Sequence, residues 1–214
     1  MKADTSCGCS SAPRAQIKIE PNLVLRGTVF GVEQRSLVAT AEAIFERSVA
    51  INILSLPDLY GGKICAALDR QHPRDLFDVK LLLENEGVTA DIRRAFVVYL
   101  ASHDRPMNEL IQPTLLDVQH IFEDHFSGMT RAPVGYEDLV AARDRLIEIL
   151  RGSLSDAERR FLISIKEGVP DWAQLGIPGV DALPGIQWKL QHIARMDRTK
   201  HREALSALKR KLGR

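Results

Sequence analysis

Five residues whose types suit phosphate chemistry fall within one short stretch, LPDLYGGKICAALDRQHPRDLFDVKLLLENEG, running from Leu56 to Gly87. Lys63, Ala67 and Arg70 stand at i, i+4 and i+7. The two cations therefore share one edge of a helix whose buried stripe is Leu56, Leu59, Ile64, Ala67 and Leu68. Pro73 suits the first turn of a second helix, with Arg74 beside it. Asp75 and Asp78, three apart, share one face, opposite Leu76, Phe77, Val79 and Leu83. Cations and carboxylates meeting where two short helices join is an arrangement suited to a triphosphate.

Each residue also has a purely structural reading. An acid in a first turn gains about 0.3–1 kcal/mol from the helix dipole, and an Arg74–Asp78 pair at i, i+4 adds about 0.2–0.5 kcal/mol. Gly61-Gly62-Lys63 is not a nucleotide P-loop, because no fitting glycine lies upstream and Ile64 stands where the hydroxyl belongs. The joint occurrence carries the phosphate reading. That reading collapses if the groups prove scattered, facing apart or merely tied to one another on the outer surface.

The elements that must position these residues change in texture along the chain. Residues 1–15 are small, polar and aperiodic, which predicts an unpacked lead-in. QIKIE (16–20) alternates as a half-buried strand does, with Ile17 and Ile19 on one face and Lys18 and Glu20 on the other. LVLRGTVFGV (23–32) and SVAINILSL (48–56) predict two more strands, with a short helix or irregular turn at ATAEAIFER (39–47) between them. Beyond Leu56 some seven helices are expected, among them YEDLVAARDRLIEIL and one opened by the capping box Ser155–Glu158. The Gly/Pro-rich run GVPDWAQLGIPGVDALPG predicts a loop. The fold class is α+β: a partial sheet of about three strands with a large helical C-terminal body. The expected organisation is a lead-in over 1–15, a sheet-bearing domain over 16–87 and a helical domain over 88–214. So thin a sheet leaves an edge open, and the chain reads as starting in mid-fold.

At 45% hydrophobic and 27% charged, the 214 residues exclude collagen, coiled-coil rods and disordered tails. Cys7 and Cys9 sit one residue apart and Cys65 lies alone in an apolar run, so no disulfide framework is indicated and a reducing compartment is expected. Without an apolar run of about 18 residues or a signal-type N-terminus, the expectation is a cytoplasmic protein with no membrane partner. The histidines show no metal spacing, and Cys65 reads as packing. Net charge is only +1, yet residues 195–214 carry eight Lys or Arg against two acids. Within them Arg198, Lys200, Arg202, Lys209, Arg210 and Lys211 are candidate RNA-binding residues, a solvated terminal helix being the alternative.

Leu56 to Leu83 resembles the C-terminal motif pair of the nucleotidyl transferase AbiEii/AbiGii toxin family, a lysine helix of the form LYGGK-x-x-A-x-x-x-R followed by PRD-x-x-D. Lys63, Arg70, Arg74, Asp75 and Asp78 match it position by position. The resemblance extends upstream through IKIEPNLVLRGTVF and downstream through ASHDRPMNELI, ERRFLISIKEGVPDW and LPGIQWKLQHI. It implies a toxin of a toxin–antitoxin or phage-defence system that uses Mg2+ to transfer a nucleoside monophosphate from an NTP to an RNA acceptor such as tRNA. Under it Lys63, Arg70 and Arg74 bind the nucleotide, Asp75 and Asp78 complete the polar site, and Glu20 is the carboxylate near the attacking hydroxyl and the metal. A cognate antitoxin is the implied partner.

The chain departs from the family in one respect. Such transferases combine a Gly-Gly/Ser turn with an Asp-x-Asp that holds metals, and no Asp-x-Asp precedes Lys63. The expectation is a truncated copy, or one that associates with a separately encoded N-terminal piece, weak or inactive alone. The alternative is a non-catalytic RNA- or partner-binding remnant.

Overall fold

The computed structural model describes residues 27–214. Two strands, β1 (Val32–Ser36) and β2 (Ala50–Leu54), pair antiparallel, with Val32 opposite Leu54 and Ser36 opposite Ala50. Helix α1 (Ala39–Phe45) connects them. β2 lies inside the segment expected to be a strand. The preceding expectation needs correction, because residues 27–31 are not extended ladder and β1 begins only at Val32. The reason is local: the amides of Val29 and Phe30 donate to the Asp58 carboxylate, each at 2.8 Å, instead of to a neighbouring strand. Among the described residues the sheet has two strands; the QIKIE segment, Glu20 with it, and the lead-in cysteines lie outside them.

From Leu56 the chain is helical. The order is α2 (Leu56–Arg70), α3 (Pro73–Glu84), α4 (Ala90–Ala101), α5 (Met107–Ile111), α6 (Gln119–His125), α7 (Tyr136–Ser153), α8 (Asp156–Glu167), α9 (Pro184–Ala194) and α10 (Arg198–Lys211). Nine helices stand here against an expectation of about seven. The short α5 and α6, with no side-chain cap, account for the difference. The start signals act as read. Pro73 opens α3 behind the cap His72, and Ser155 and Glu158 satisfy each other's backbone at the start of α8. The Gly/Pro-rich loop carries two 3-10 turns, at Trp172–Gln174 and Val180–Ala182.

Helix α2 packs on α4 and α3 on α7, and one cluster centred on Ile64, Leu68, Leu76, Phe96, Leu146 and Phe161 fills the interior. Cys65 belongs to it, as its apolar setting suggested. In contrast, β1, α1 and β2 contribute no buried residue. The helical body alone supplies the core that fixes α2 and α3.

Lys166, near the end of α8, is buried with the Met196 sulfur 3.8 Å from its Nζ, and no carboxylate pairs with it among the described residues. Burial holds its ammonium below the usual lysine range. A folded-state value lower than the unfolded one means the unfolded chain binds more protons between the two. Stability therefore rises as pH climbs through that alkaline window, and the penalty is fully present below it. Lys166→Met is expected to raise Tm at neutral pH by about 2–4 °C, the shift that roughly 1 kcal/mol brings in a chain of this size. Its Tm should lose the wild-type rise at alkaline pH, and thermal melts from pH 7 to 11 check both.

Candidate nucleotide-binding site

Helix α2 ends at Arg70, Gln71 takes a left-handed conformation (φ 51°), and α3 starts two residues later. Buried Gln71 is held by its side chain, which donates to the Thr114 carbonyl at 2.7 Å and accepts from Arg143 and the Leu116 amide. This tight corner sets the two helices side by side. The edge of α2 carrying Lys63 and Arg70 then faces the Asp75 and Asp78 face of α3.

The structure joins four of the five motif residues in two ion pairs between the helices and leaves Arg74 beside the second pair. Lys63 Nζ lies 2.5 Å from Asp78 Oδ2, and an Arg70 guanidinium nitrogen 2.8 Å from Asp75 Oδ1. Arg74 is exposed beside them, its guanidinium 3.8 Å from the Met129 sulfur. The predicted Arg74–Asp78 pair is not formed, because Asp78 is taken by Lys63. The acids are thus tied to cations, though through other pairs than the Arg74–Asp78 one of the structural reading. Both Lys63 and Asp78 remain about one-third exposed, however, and Arg70 is 62% exposed, so these pairs are open to a competing anion.

Arg70, His72, Arg74 and Asp75 line a cleft of about 390 Å³. The backbone amide of Arg74 donates to His72 Nδ1 at 3.2 Å. One oxygen of Asp75, Oδ2, is buried with no hydrogen-bond partner. A cleft walled by two guanidiniums, an imidazole and a carboxylate can hold phosphate oxygens while accepting a hydrogen bond from the same ligand.

A divalent metal is poorly provided for here. Among the described residues no three His, Cys, Asp or Glu side chains cluster so as to hold a metal ion. Asp75 and Asp78 are each compensated by a cation, so the described residues do not build the cage that Mg2+ requires.

The C-terminal cations occupy α10. Arg198, Arg202 and Lys209 recur at i, i+4 and i+11 on one face, with Lys200 and Lys211 on another, flanking the buried Leu208 and Leu212. Arg198, Lys200, Arg202, Arg210 and Lys211 are exposed, whereas Lys209 pairs with Glu167 at 2.8 Å. Just before them Trp188 stacks against His192, ring centroids 4.0 Å apart. Arg93, Arg94 and Arg105, the other arginines in reach of a basic surface, are engaged by Glu158, by the Leu175 carbonyl and Asp91, and by Asp69 and Glu109.

Sequence reasoning passed over two residues that shape this region. Gly61 sits where α2 and α4 pass closest, and Asp58 is 1% exposed with both carboxylate oxygens engaged. The only sequence signal for Asp58 was its spacing from Ser55, a Ser-x-x-Asp helix start.

The family model described as nucleotidyl transferase AbiEii toxin, Type IV TA system, matches residues 3–192. This defines the class: a toxin of a toxin–antitoxin system with a nucleotidyltransferase-like function, implying an antitoxin partner and a nucleotide substrate. The chain belongs to the AbiEii nucleotidyl transferase toxin family. No curated protein and no solved structure matches it. No helix among the described residues is long and apolar enough to cross a membrane.

Proposed function

We propose that this protein is a cytoplasmic toxin that transfers a nucleoside monophosphate from Mg-NTP to the end of an RNA, tRNA being the favoured acceptor. The observation that carries the reading is that the cations of α2 meet the acids of α3, Lys63 on Asp78 and Arg70 on Asp75, with Arg74 beside the second pair, in a chain of this family. Lys63, Arg70 and Arg74 hold the phosphates. The RNA hydroxyl oxygen attacks the α-phosphorus, the bond to the β-phosphate oxygen breaks, and pyrophosphate leaves. Glu20, which lies outside the described residues, would receive the hydroxyl proton and help hold the metal ion that accompanies the nucleotide. Asp78 orients Lys63, and Asp75 accepts a donor from the substrate. Because the cations act where charge accumulates on the departing phosphates, their contribution belongs to the transition state.

The absence of any Asp-x-Asp before Lys63 supports weak transfer by this chain alone. Incubation with labelled NTP, Mg2+ and total tRNA tests both parts. Label in the tRNA band that disappears on Lys63 substitution supports the transferase, and robust turnover by the isolated chain would overturn the weakness.

The exposed cations of α10 and the Trp188–His192 stack favour a second reading, an RNA-binding protein without catalysis. Under ligand linkage Mg-NTP raises Tm only if the nucleotide site is real, whereas tRNA alone raises it if the remnant reading holds. If α10 tracks RNA phosphates, log K falls with log salt by about 0.7 per phosphate neutralised on a single strand. Arg198→Ala with Arg202→Ala is then expected to flatten the slope by about 1.4 in a fluorescence-anisotropy titration. An unchanged slope removes this face from the RNA interface.

A further inference from the structure

We infer that a bound nucleotide lies along the α2–α3 hairpin in one direction, its phosphates at the Arg70–Arg74 end and its nucleoside on Tyr60 and Glu86, a direction that rests on the nucleotide-site reading above. Three contacts cross between the two helices in order. Arg70 meets Asp75 at the corner, Lys63 meets Asp78 midway, and the Tyr60 hydroxyl donates to Glu86 Oε2 at 3.4 Å, just beyond the end of α3. Tyr60, Lys63 and Arg70 stand at i, i+3 and i+10 on α2, within an arc of about 80° at 3.6 residues per turn. At 1.5 Å per residue, Lys63 lies about 4.5 Å along the axis from Tyr60, and Arg70 about 10.5 Å further on.

The charge along this line changes sign. The corner carries the guanidiniums of Arg70 and Arg74 against one acid, Asp75. At the other end Glu86 is exposed, and among the described residues no Lys or Arg pairs with it. Burial, then the charge and hydrogen bond of Glu86, then the charge of Asp78 push the Tyr60 phenol above its usual value, so the ring faces both carboxylates and keeps its proton. A polyphosphate laid the opposite way would meet Glu86, a bare like charge. A ribose suits that end instead, because an ionised carboxylate only accepts and a ribose offers it hydroxyl donors. The bond to Tyr60 is long and leaves Glu86 with acceptors to spare. Tyr60 packs partly against the core, so its ring is held while part of it stays open for a base to stack on. The phosphate next to the ribose then lies beside Lys63, where the transferred phosphorus reacts, and the two arginines hold the phosphates that leave.

Calorimetric Kd values for the full chain with Mg2+ test this, using inorganic tripolyphosphate, the four NTPs and their 2′-deoxy counterparts. Wild type is expected to bind its preferred NTP about tenfold more tightly than either the deoxy form or tripolyphosphate, as a hydrogen bond to a charged group allows. Glu86→Ala should erase the ribose preference and weaken NTP about tenfold, with tripolyphosphate within about twofold of wild type. Tyr60→Leu should weaken NTP and deoxy-NTP alike by about fivefold or more, the loss of one stacked base, and leave tripolyphosphate unmoved. Arg70→Ala with Arg74→Ala should weaken tripolyphosphate and NTP equally and keep the ribose preference. Glu86 is exposed, so Glu86→Ala stays decisive if Tyr60→Leu does not fold. A ribose preference that survives Glu86→Ala, or that disappears with the two arginines instead, overturns the direction. Wild type that binds NTP no more tightly than tripolyphosphate overturns the nucleoside subsite while the phosphate grip stands. If wild type binds neither, the nucleotide-site reading itself has failed and the direction falls with it.

Discussion

Lys63→Met is expected to remove the Mg-NTP-dependent rise in Tm and to lower label transfer by about 10²–10³-fold, the loss typical of removing one preorganised charge donor from a developing anion. Methionine keeps the apolar stem along α2, so the helix itself should persist. The Lys63–Asp78 contact at 2.5 Å does not argue against this role. A pair whose members are each about one-third exposed contributes about 0–1 kcal/mol, whereas a hydrogen bond to a charged group is worth about 1.5–3 kcal/mol. A triphosphate can therefore draw Lys63 from its partner at small cost. Asp78→Asn separates tether from catalytic group. If Asp78 only holds the lysine, freeing Lys63 tightens nucleotide binding and leaves transfer intact. A role in the reaction gives tighter binding with slower transfer, which is the expected result. Calorimetric Kd values set beside single-turnover rates decide between them.

Gly61→Val should destabilise the protein by about 3 kcal/mol, while alanine at the neighbouring Gly62 should stabilise it by up to about 1 kcal/mol. The opposite signs come from two different surroundings. A Cβ on Gly61 would stand 2.9 Å from the Ala95 Cβ and 3.0 Å from the Phe96 amide nitrogen, backbone that cannot yield without moving α2 off α4. A Cβ on Gly62 meets nothing within 4 Å, so alanine there gains helix propensity at no steric cost. Moving α2 carries Lys63 with it, so Gly61→Val should also weaken Mg-NTP binding. Denaturant melts of the two variants measure the stability difference directly. A destabilised Gly62→Ala would mean that this glycine serves a ligand instead of the helix.

These glycines illustrate how far the sequence could be read. Gly61-Gly62-Lys63 was recognisable as something other than a phosphate loop, because the P-loop spacing is missing, and the structure places both glycines inside α2. What Gly61 does was not legible, since its function is a distance to α4, some 34 residues later in the chain. Asp58 was missed for a similar reason. Its spacing from Ser55 signals a helix start, but nothing local tells that Val29, Phe30 and Tyr99 converge on it. Of the strand expected over 23–32, residues 27–31 stay out of a ladder and β1 starts at Val32 on the same account: backbone donors that could have joined a ladder were claimed by a buried carboxylate.

The pattern of residues determined the α+β class, the cap at Ser155, the buried Cys65, and the shared edge of Lys63 and Arg70, because each depends on neighbours within a helical turn or on a 3.6-residue repeat. The family, too, was readable from the lysine-helix and PRD motifs. Only the fold decided which acid meets which cation: Asp78 goes to Lys63 and Asp75 to Arg70, leaving Arg74 facing a methionine sulfur. Ion pairing across two helices depends on their separation and rotation, which are fixed by the corner at Gln71 and by the packing of α2 on α4 and α3 on α7. Those are properties of the assembled core, and no local run of residues contains them.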